Sequence, residues 1–148
     1  MKSFFVTVFA VVLLFGTTYA QGKKDAEALV KKAITYYRSV GKDKALLDLS
    51  DPRGKFVDGE LYVTVYDATG KNIAHGANLK MVGKNWMELK DADGKAFIKE
   101  RIDLANKQGT GWQTYKWTNP VSKQIETKYT FVEKADGVIF ACGAYRNR

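Results

Sequence analysis

The side chains best suited to hold a ligand lie in two stretches of alternating residues within residues 111–131. Alternate side chains of a strand share a face, so Tyr115 and Trp117 point the same way from the first stretch. If the two stretches pair as a hairpin with Tyr115 and Trp117 beside Lys128, two aromatic walls flank one ammonium group. Such a cradle would suit a small anion. The alternative is an ordinary hairpin with Lys128 on its solvent-facing side.

Three further side chains could complete a binding site. Tyr62 and His75 supply directional hydrogen bonds, and Trp86 supplies an apolar wall. Ligand pockets place a few polar groups in a mostly apolar cleft, and this set has that composition. Each residue also has an ordinary alternative. His75 could be a surface histidine beside a turn, and the tryptophans and tyrosines could serve only in packing.

The sequence offers little for catalysis or for metal binding. His75 is the only histidine and Cys142 the only cysteine, which excludes an internal disulfide and the usual zinc sites. No serine lies in a nucleophile-elbow context, and Cys142 lies in an apolar stretch typical of an inert core thiol. Asp91 and Asp93 do not have calcium-loop spacing. We therefore expect a protein that is not an enzyme and has no cofactor.

The first twenty residues have the pattern of a secretory signal peptide. Lys2 precedes an uncharged apolar run over residues 4–15, and small residues before Gln21 offer a cleavage site. This run is shorter than the roughly 20 residues that a membrane-spanning helix needs. We expect residues 1–20 to be removed and residues 21–148 to form a single periplasmic or secreted domain. No stable membrane insertion is expected after cleavage.

The chain is basic, with 24 lysine and arginine residues against 16 aspartate and glutamate residues. Removal of the signal peptide takes only Lys2, so the net charge falls from +8 to +7. Such a charge favours anionic partners in general. The basic residues are scattered and no nucleic-acid motif is present, so we expect no nucleic acid as a partner.

The hydrophobic spacing predicts the elements that must position these side chains. An apolar stripe predicts a helix over residues 25–40, capped by Asp25 and ended by Gly41, and a short helix follows over residues 43–49. A period of two predicts a strand over residues 61–66 and a return strand over residues 72–75. Residues 76–92 are irregular. A third helix over residues 94–107, capped by Asp91 or Asp93, precedes the hairpin and a last strand over residues 138–145.

This order of elements predicts an α+β domain. We expect an antiparallel sheet of about five strands with the helices packed to one side, and the last three strands should be neighbours. Asp136 and Gly137 provide a tight turn before the last strand.

The order and spacing of several short motifs over residues 25–146 resemble the single Cache domain of the second type. This is the extracytoplasmic, PAS-like sensor module of bacterial chemoreceptors and histidine kinases. The matching motifs lie at residues 61–67 with Gly70, 74–75, 81–84, 91–95, 109–112, 115–117 with Pro120, 128–129 and 142–145.

The resemblance implies a long N-terminal helix packed on a five-stranded antiparallel sheet in the order 2-1-5-4-3. It also implies a pocket between the other face of the sheet and the loops around strands 2 and 3. Ligands of the family are small molecules, often short carboxylates. Carried over by position, the ligand-binding residues are His75, Trp117 and Lys128, and the residues lining the cavity are Tyr62, Trp86 and Tyr115.

Most such domains continue into a second membrane helix and a cytoplasmic output domain, whereas this chain ends at Arg148. We therefore expect a free-standing sensing or binding module that takes up a small organic anion and presents it to an envelope sensor or receptor. The alternative is a structural or interaction protein of the cell envelope with the same fold and no functional pocket. A third possibility, an enzyme on a related fold, would need a carboxylate beside His75.

Overall fold

The structure is a computed structural model that describes the backbone of residues 15–146 and the side chains of residues 21–146. The expected signal peptide lies outside the described residues, except for the backbone of residues 15–20. Its cleavage therefore stays a prediction. Among the described residues we find no helix with the length and apolar character that crossing a membrane requires.

The long N-terminal helix α1 covers Phe15–Val40. Its start was predicted wrongly, because Asp25 lies inside the helix and does not cap it. The Asp25 carboxylate instead accepts a hydrogen bond from the side-chain amide of Gln21 one turn earlier, at 2.8 Å. The predicted apolar stripe faces the core, with Ala26, Val30, Ala33 and Tyr37 buried and Leu29 and Val40 partly buried. Gly41, at a φ of 85°, ends the helix, and the short helix α2 follows at Lys42–Leu49.

Between residues 15 and 146, seven strands form two sheets. A small hairpin that the sequence did not predict pairs β1 (Val57–Asp58) with β2 (Leu61–Tyr62). The main sheet has five antiparallel strands in the order β4-β3-β7-β6-β5. Counted along the chain, this is the expected order 2-1-5-4-3. The five strands are β3 (Thr64–Tyr66), β4 (Asn72–His75), β5 (Thr110–Thr118), β6 (Ile125–Ala135) and β7 (Val138–Tyr145).

The single strand predicted over residues 61–66 is divided at Val63 into β2 and β3. Its apolar and polar positions do not alternate between core and solvent, because all six residues are buried. The sheet is covered on both faces here, so the tyrosines of this stretch lie in the protein interior.

The helices do not pack to one side of the sheet as predicted. Helix α1 packs on one face, and α3 (Phe97–Gln108) packs on the other face against β5 and β6. Alternate residues of the central strand β7 therefore enter two different apolar clusters, and the whole strand is buried. The α1 cluster includes Val30, Ala33, Phe131, Phe140 and Ala144, and the α3 cluster includes Tyr66, Phe97, Tyr115, Val132 and Ile139.

Helix α3 begins later than predicted, at Phe97, and neither Asp91 nor Asp93 caps it. The carboxylate of Asp91 is engaged elsewhere. Its Oδ1 accepts from the backbone amides of Asp93 and Lys95, and its Oδ2 accepts from the amide of Lys116 on β5 at 2.8 Å. Asp91 therefore links the loop before α3 to the outer strand β5.

Residues 76–92 are irregular as predicted, with one short 3-10 helix at Leu79–Met81. The loop runs along the outer edge of β4, where Asn72 exchanges backbone hydrogen bonds with Gly83 and Lys84. A few residues later, Asp91 and Lys95 bond to the outer backbone groups of β5. The predicted turn at Asp136 and Gly137 is confirmed, with φ values of 51° and 80°.

Candidate ligand-binding site

The register of the β5–β6 hairpin pairs Tyr115 directly with Lys128 and Trp117 with Glu126. The condition set by the sequence, with Tyr115 and Trp117 beside Lys128, is therefore met. These side chains lie on the face of the sheet that α3 covers. Lys128 is only 2% exposed. The alternative that placed Lys128 on a solvent-facing side is therefore wrong.

The Lys128 ammonium lies among aromatic rings. Its Nζ is 3.8 Å from the centre of the Tyr62 ring and 4.9 Å from that of Tyr145. None of the described carboxylates forms an ion pair with it. Burial alone would lower the pKa of Lys128, but the hydroxyls of Tyr62 and Tyr115 raise it, and the net shift of the pKa is upward. The ring faces offer only partial compensation for a buried charge.

Sequence reasoning missed a second buried cation, Arg101 on α3, which is also 2% exposed. Its Nε donates to Oε1 of Gln113 at 2.7 Å, and its Nη2 donates to the hydroxyl oxygen of Tyr115 at 2.9 Å. No described carboxylate forms an ion pair with it. A signal was available, because Arg101 falls on the buried stripe of α3 between Ile98 and Ile102.

Tyr115 lies between the two cations. Its ring stacks on Phe97, with centroids 4.3 Å apart and planes inclined by 7°. Burial raises the pKa of Tyr115, whereas the charges of Lys128 and Arg101 lower it, and the net shift of the pKa is downward. The three residues form a cationic site around one phenol.

A cleft of about 330 Å³ opens beside this site. One wall comes from the end of β4 and the residues after it, and the other from the end of β5 and the hairpin loop. Three of the six predicted residues line it, namely Tyr62, His75 and Trp117, together with Ala77, Asn78, Thr118, Pro120 and Lys123. Lys128 is not among the lining residues, and its ammonium lies against the ring of Tyr62.

His75 is buried, so its interpretation as a surface histidine is wrong. Its Nδ1 accepts hydrogen bonds from the backbone amides of Ala77 and Asn78, and its ring stacks on Tyr62 at a centroid distance of 5.1 Å. Burial, then the charges of Lys128 and Arg101, lower the pKa of His75 to about 3. The imidazole is therefore neutral near pH 7, and these hydrogen bonds assign its proton to Nε2, which can donate to a ligand.

Trp86 is not brought into the cleft. It packs against the α3 cluster, and its Nε1 donates to the backbone oxygen of Met81 at 2.8 Å. Trp117 is half-buried and its ring lies 5.1 Å from that of Phe97, so it serves both packing and the cleft wall. Tyr115 is deeper than the cleft, beside Lys128 and Arg101.

The arrangement favours binding over covalent chemistry. Cys142 lies on the α1 face, and burial raises the pKa of its thiol to about 12, which leaves it unreactive. Within residues 15–146, no group of three metal-ligating side chains converges. The buried groups described above are mainly hydrogen-bond donors and positive charges, which in proteins generally are the partners of anions.

The fold and the site together define an α+β sensor domain of the PAS-like kind. The chain belongs to the family Single Cache domain 2, whose sequence model matches residues 7–146. The relationship to receptors of this family expected from the sequence is thereby confirmed.

Two relatives are receptors of signalling systems. The chain is 43% identical over 75 residues to the sensor histidine kinase MctS of Rhizobium johnstonii, and this match covers 51% of the chain and 16% of the kinase. It is 30% identical over 90 residues to the methyl-accepting chemotaxis protein McpP of Pseudomonas putida, covering 60% of the chain and 16% of that protein. The matched segments are thus about one sixth of each relative.

Solved structures share the fold. A methyl-accepting chemotaxis protein from Vibrio parahaemolyticus superposes with a TM-score of 0.74 at 24% identity, covering 88% of this chain and 92% of that one. A Cache chemosensory domain studied for its carboxylic acid recognition gives a TM-score of 0.72 at 23% identity, covering 91% of this chain and all of that one.

Proposed function

We propose that this protein is an exported, non-catalytic sensing module that binds a small organic anion such as a short carboxylate. The anion enters through the cleft and reaches the buried cations behind Tyr62. Removal of residues 1–20 would leave residues 21–148 as one periplasmic or secreted domain. An envelope sensor or receptor would then read the occupied state.

The observation that carries this proposal is the pair of buried cations, Lys128 and Arg101, without a described carboxylate in contact with either. Moving a charged group from water into the protein interior costs several kcal/mol unless an opposite charge compensates that loss of hydration. A carboxylate ligand supplies the missing opposite charge. It also accepts the short, charge-assisted hydrogen bonds that ammonium and guanidinium groups donate.

The neighbouring side chains have distinct roles in this proposal. Lys128 and Arg101 attract the carboxylate, and Tyr115 orients it by donating a hydrogen bond from its hydroxyl group. His75 donates from Nε2 to a polar atom of the ligand, because its Nδ1 is occupied by two backbone amides. The rings of Tyr62 and Trp117 cover its apolar part.

The likeness to sensor domains supports the proposal at the level of the class of protein. One structural neighbour is a domain studied for carboxylic acid recognition. At 23% identity, this similarity supports a shared fold and not a shared ligand. The choice of a carboxylate for this chain therefore rests on its own charges and hydrogen bonds.

The test is a thermal-shift screen of the purified protein with short carboxylates, amino acids and the matching neutral amides. A ligand that binds only the folded state raises the melting temperature by mass action. We expect shifts with carboxylates and none with amides. If no compound shifts the melting temperature, the proposal fails and an interaction protein without a functional pocket becomes the better account.

The variant that isolates the charge is Lys128→Met, which keeps the length of the side chain. The variant should lose about 2–5 kcal/mol of binding free energy for a carboxylate that shifts the wild type. It should remain folded, because methionine fills nearly the same space and Tyr115 keeps its hydrogen bond to Arg101. Lys24→Met changes the net charge equally at an exposed helix position and should bind as the wild type does. Equal affinity of Lys128→Met and wild type would exclude Lys128 from the site.

A further inference from the structure

The buried site holds two positive charges and one group able to become negative. Arg101 and Tyr115 are joined at 2.9 Å, and Lys128 is the direct cross-strand neighbour of Tyr115. All three side chains are almost fully buried. The site therefore has an excess of positive charge in the absence of a ligand, and Tyr115 is the acid that bonds to one cation and lies opposite the other in the sheet.

The hydrogen bonds of Tyr115 are those of an acceptor. Its hydroxyl oxygen accepts from Nη2 of Arg101 and from Oγ1 of Thr130, the latter at 3.4 Å. Among the described residues, it donates to no acceptor. A neutral phenol in this position has a proton without a partner, whereas a phenolate is matched by both donors and by the nearby ammonium.

Among residues 21–146, no carboxylate forms a hydrogen bond with the Tyr115 hydroxyl. The nearest described carboxylate on α3, Glu100, bonds to Gln113 and forms an ion pair with Lys95. Glu126 lies on the same face of β6, two residues from Lys128, and its carboxylate accepts hydrogen bonds from the side chains of Asn119 and Ser122. The other titratable side chains on this face are arginine, lysine, histidine and tyrosine. From the packed elements these are Arg101 (α3), Lys128 (β6), Tyr62 (β2), Tyr66 (β3), His75 (β4) and Tyr145 (β7).

We infer that Tyr115 is ionised in the ligand-free protein and acts as the resident counter-anion of Lys128 and Arg101. This inference rests on the proposed function, because an entering carboxylate would then take over the role of the phenolate. Tyr115 would accept one proton from solvent as the ligand binds. The site would keep its total charge, with the negative charge moved from the phenolate to the ligand.

Charge balance gives this exchange a defined dependence on pH. The two cations lower the pKa of Tyr115 despite its burial, and a bound carboxylate raises that pKa again by like-charge repulsion. Between the two pKa values, binding takes up a proton, so the affinity falls by about tenfold per pH unit as the pH rises. In Tyr115→Phe this decline is absent, and only the deprotonation of Lys128 at higher pH weakens binding.

The ionisation is tested without a ligand, by following the near-ultraviolet absorbance of tyrosinate through a pH titration. We expect one tyrosinate below the ordinary tyrosine pKa of about 10. Tyr115→Phe should remove it, and Lys128→Met should move it to higher pH. Tyr66→Phe is the matched control, because Tyr66 is buried beside Arg101 but its pKa is raised to about 12 by burial. The absence of a low-pH tyrosinate, or its survival in Tyr115→Phe, overturns the inference.

If Tyr115→Phe does not fold, nuclear magnetic resonance of the wild type labelled at the tyrosine Cζ carbons gives the same answer. One Cζ resonance should titrate below the others and respond to Lys128→Met. A set of resonances that all titrate at or above the ordinary range overturns the inference.

The exchange is tested by titration calorimetry with acetate and propionate in buffers of different ionisation enthalpy. At a pH above the low tyrosinate transition, we expect uptake of close to one proton per anion bound, and none in Tyr115→Phe. Binding without proton uptake refutes the exchange and leaves the proposed function intact. If neither those anions nor any other carboxylate binds, the proposed function and the exchange both fail, whereas the absorbance titration still decides the ionisation.

Discussion

Gly143 and Thr130 are cross-strand partners on β7 and β6, and the space above Gly143 is filled by the Thr130 hydroxyl. A β-carbon at position 143 would overlap that hydroxyl and would lie 2.7 Å from Cε of Lys128 and 2.8 Å from the backbone oxygen of Tyr129. The glycine is therefore the reason that the Lys128 side chain can cross β7 toward Tyr62.

We expect Gly143→Ala to lower the free energy of unfolding by about 1–3 kcal/mol, the usual cost of overfilling a packed site. Because the displaced atoms include the Lys128 side chain, carboxylate affinity should fall as well. Chemical denaturation and calorimetry measure the two effects. An alanine variant with wild-type stability and affinity would mean that the strands separate freely here, contrary to the observed packing.

Acid should destabilise the protein through His75. The pKa of His75 is about 3 in the folded state, against about 6.5 for an unfolded histidine. Between these values the unfolded state binds a proton that the folded state does not, so the stabilising contribution is complete above pH 6.5 and is lost as the pH falls. The slope is at most about 1.4 kcal/mol per pH unit.

The contribution of His75 is isolated by comparing the wild type with His75→Asn, whose side-chain oxygen can replace Nδ1 as the acceptor. Chemical denaturation is followed from about pH 6.5 to about pH 4.5, and because both proteins have the same carboxylates, the difference between them reports the histidine. We expect the wild type to lose stability relative to the variant over this interval. Parallel curves for the two proteins would contradict a buried, neutral histidine.

Asp91 should matter to stability more than its neighbour Asp93. Asp91→Ala removes the acceptor for the backbone amides of Asp93, Lys95 and Lys116, which should cost about 1–3 kcal/mol. Asp93→Ala is the control, since Asp93 is exposed and should change stability by less than about 0.5 kcal/mol. Thermal denaturation compares the two variants. Equal changes in melting temperature for the two variants would show that these hydrogen bonds of Asp91 do not stabilise the folded state.

Cys142 should react with thiol reagents only when the protein unfolds. Burial raises the pKa of its thiol to about 12, and the side chain lies in the α1 cluster. We expect negligible alkylation of the native protein near neutral pH and complete alkylation in denaturant. Labelling kinetics followed by mass spectrometry provide the measurement. Rapid labelling under native conditions would reveal local opening between α1 and β7.

The sheet and the hairpin register could be predicted because alternation and turn residues act locally. Tyr115 and Lys128 are opposite each other once a loop around Pro120 is assumed, and the structure agrees. The burial of Tyr62 could not be read in this way. The side chains that cover it, His75, Lys128 and Tyr145, come from three other strands and are brought together only by the tertiary fold.

Arg101 was missed for a related reason. An arginine within an apolar stripe is usually treated as an interruption of the stripe, because its side chain can reach solvent. Here Gln113 and Tyr115 on β5 hold the guanidinium inside, and this pairing depends on a tertiary contact between α3 and β5. The predicted helix caps were wrong for a similar reason. Asp25 accepts a hydrogen bond from Gln21 inside α1, and Asp91 accepts one from the backbone of β5.

The loop before α3 also has a consequence for how the domain meets other proteins. Its backbone and side chains occupy outward-facing groups of both outer strands, at Asn72 on β4 and at Thr114 and Lys116 on β5. A foreign strand that tried to extend the sheet at these positions would have to displace them first. The same closure opposes sheet-to-sheet polymerisation of this chain, and it leaves side chains and loop shape as the features that another protein could contact.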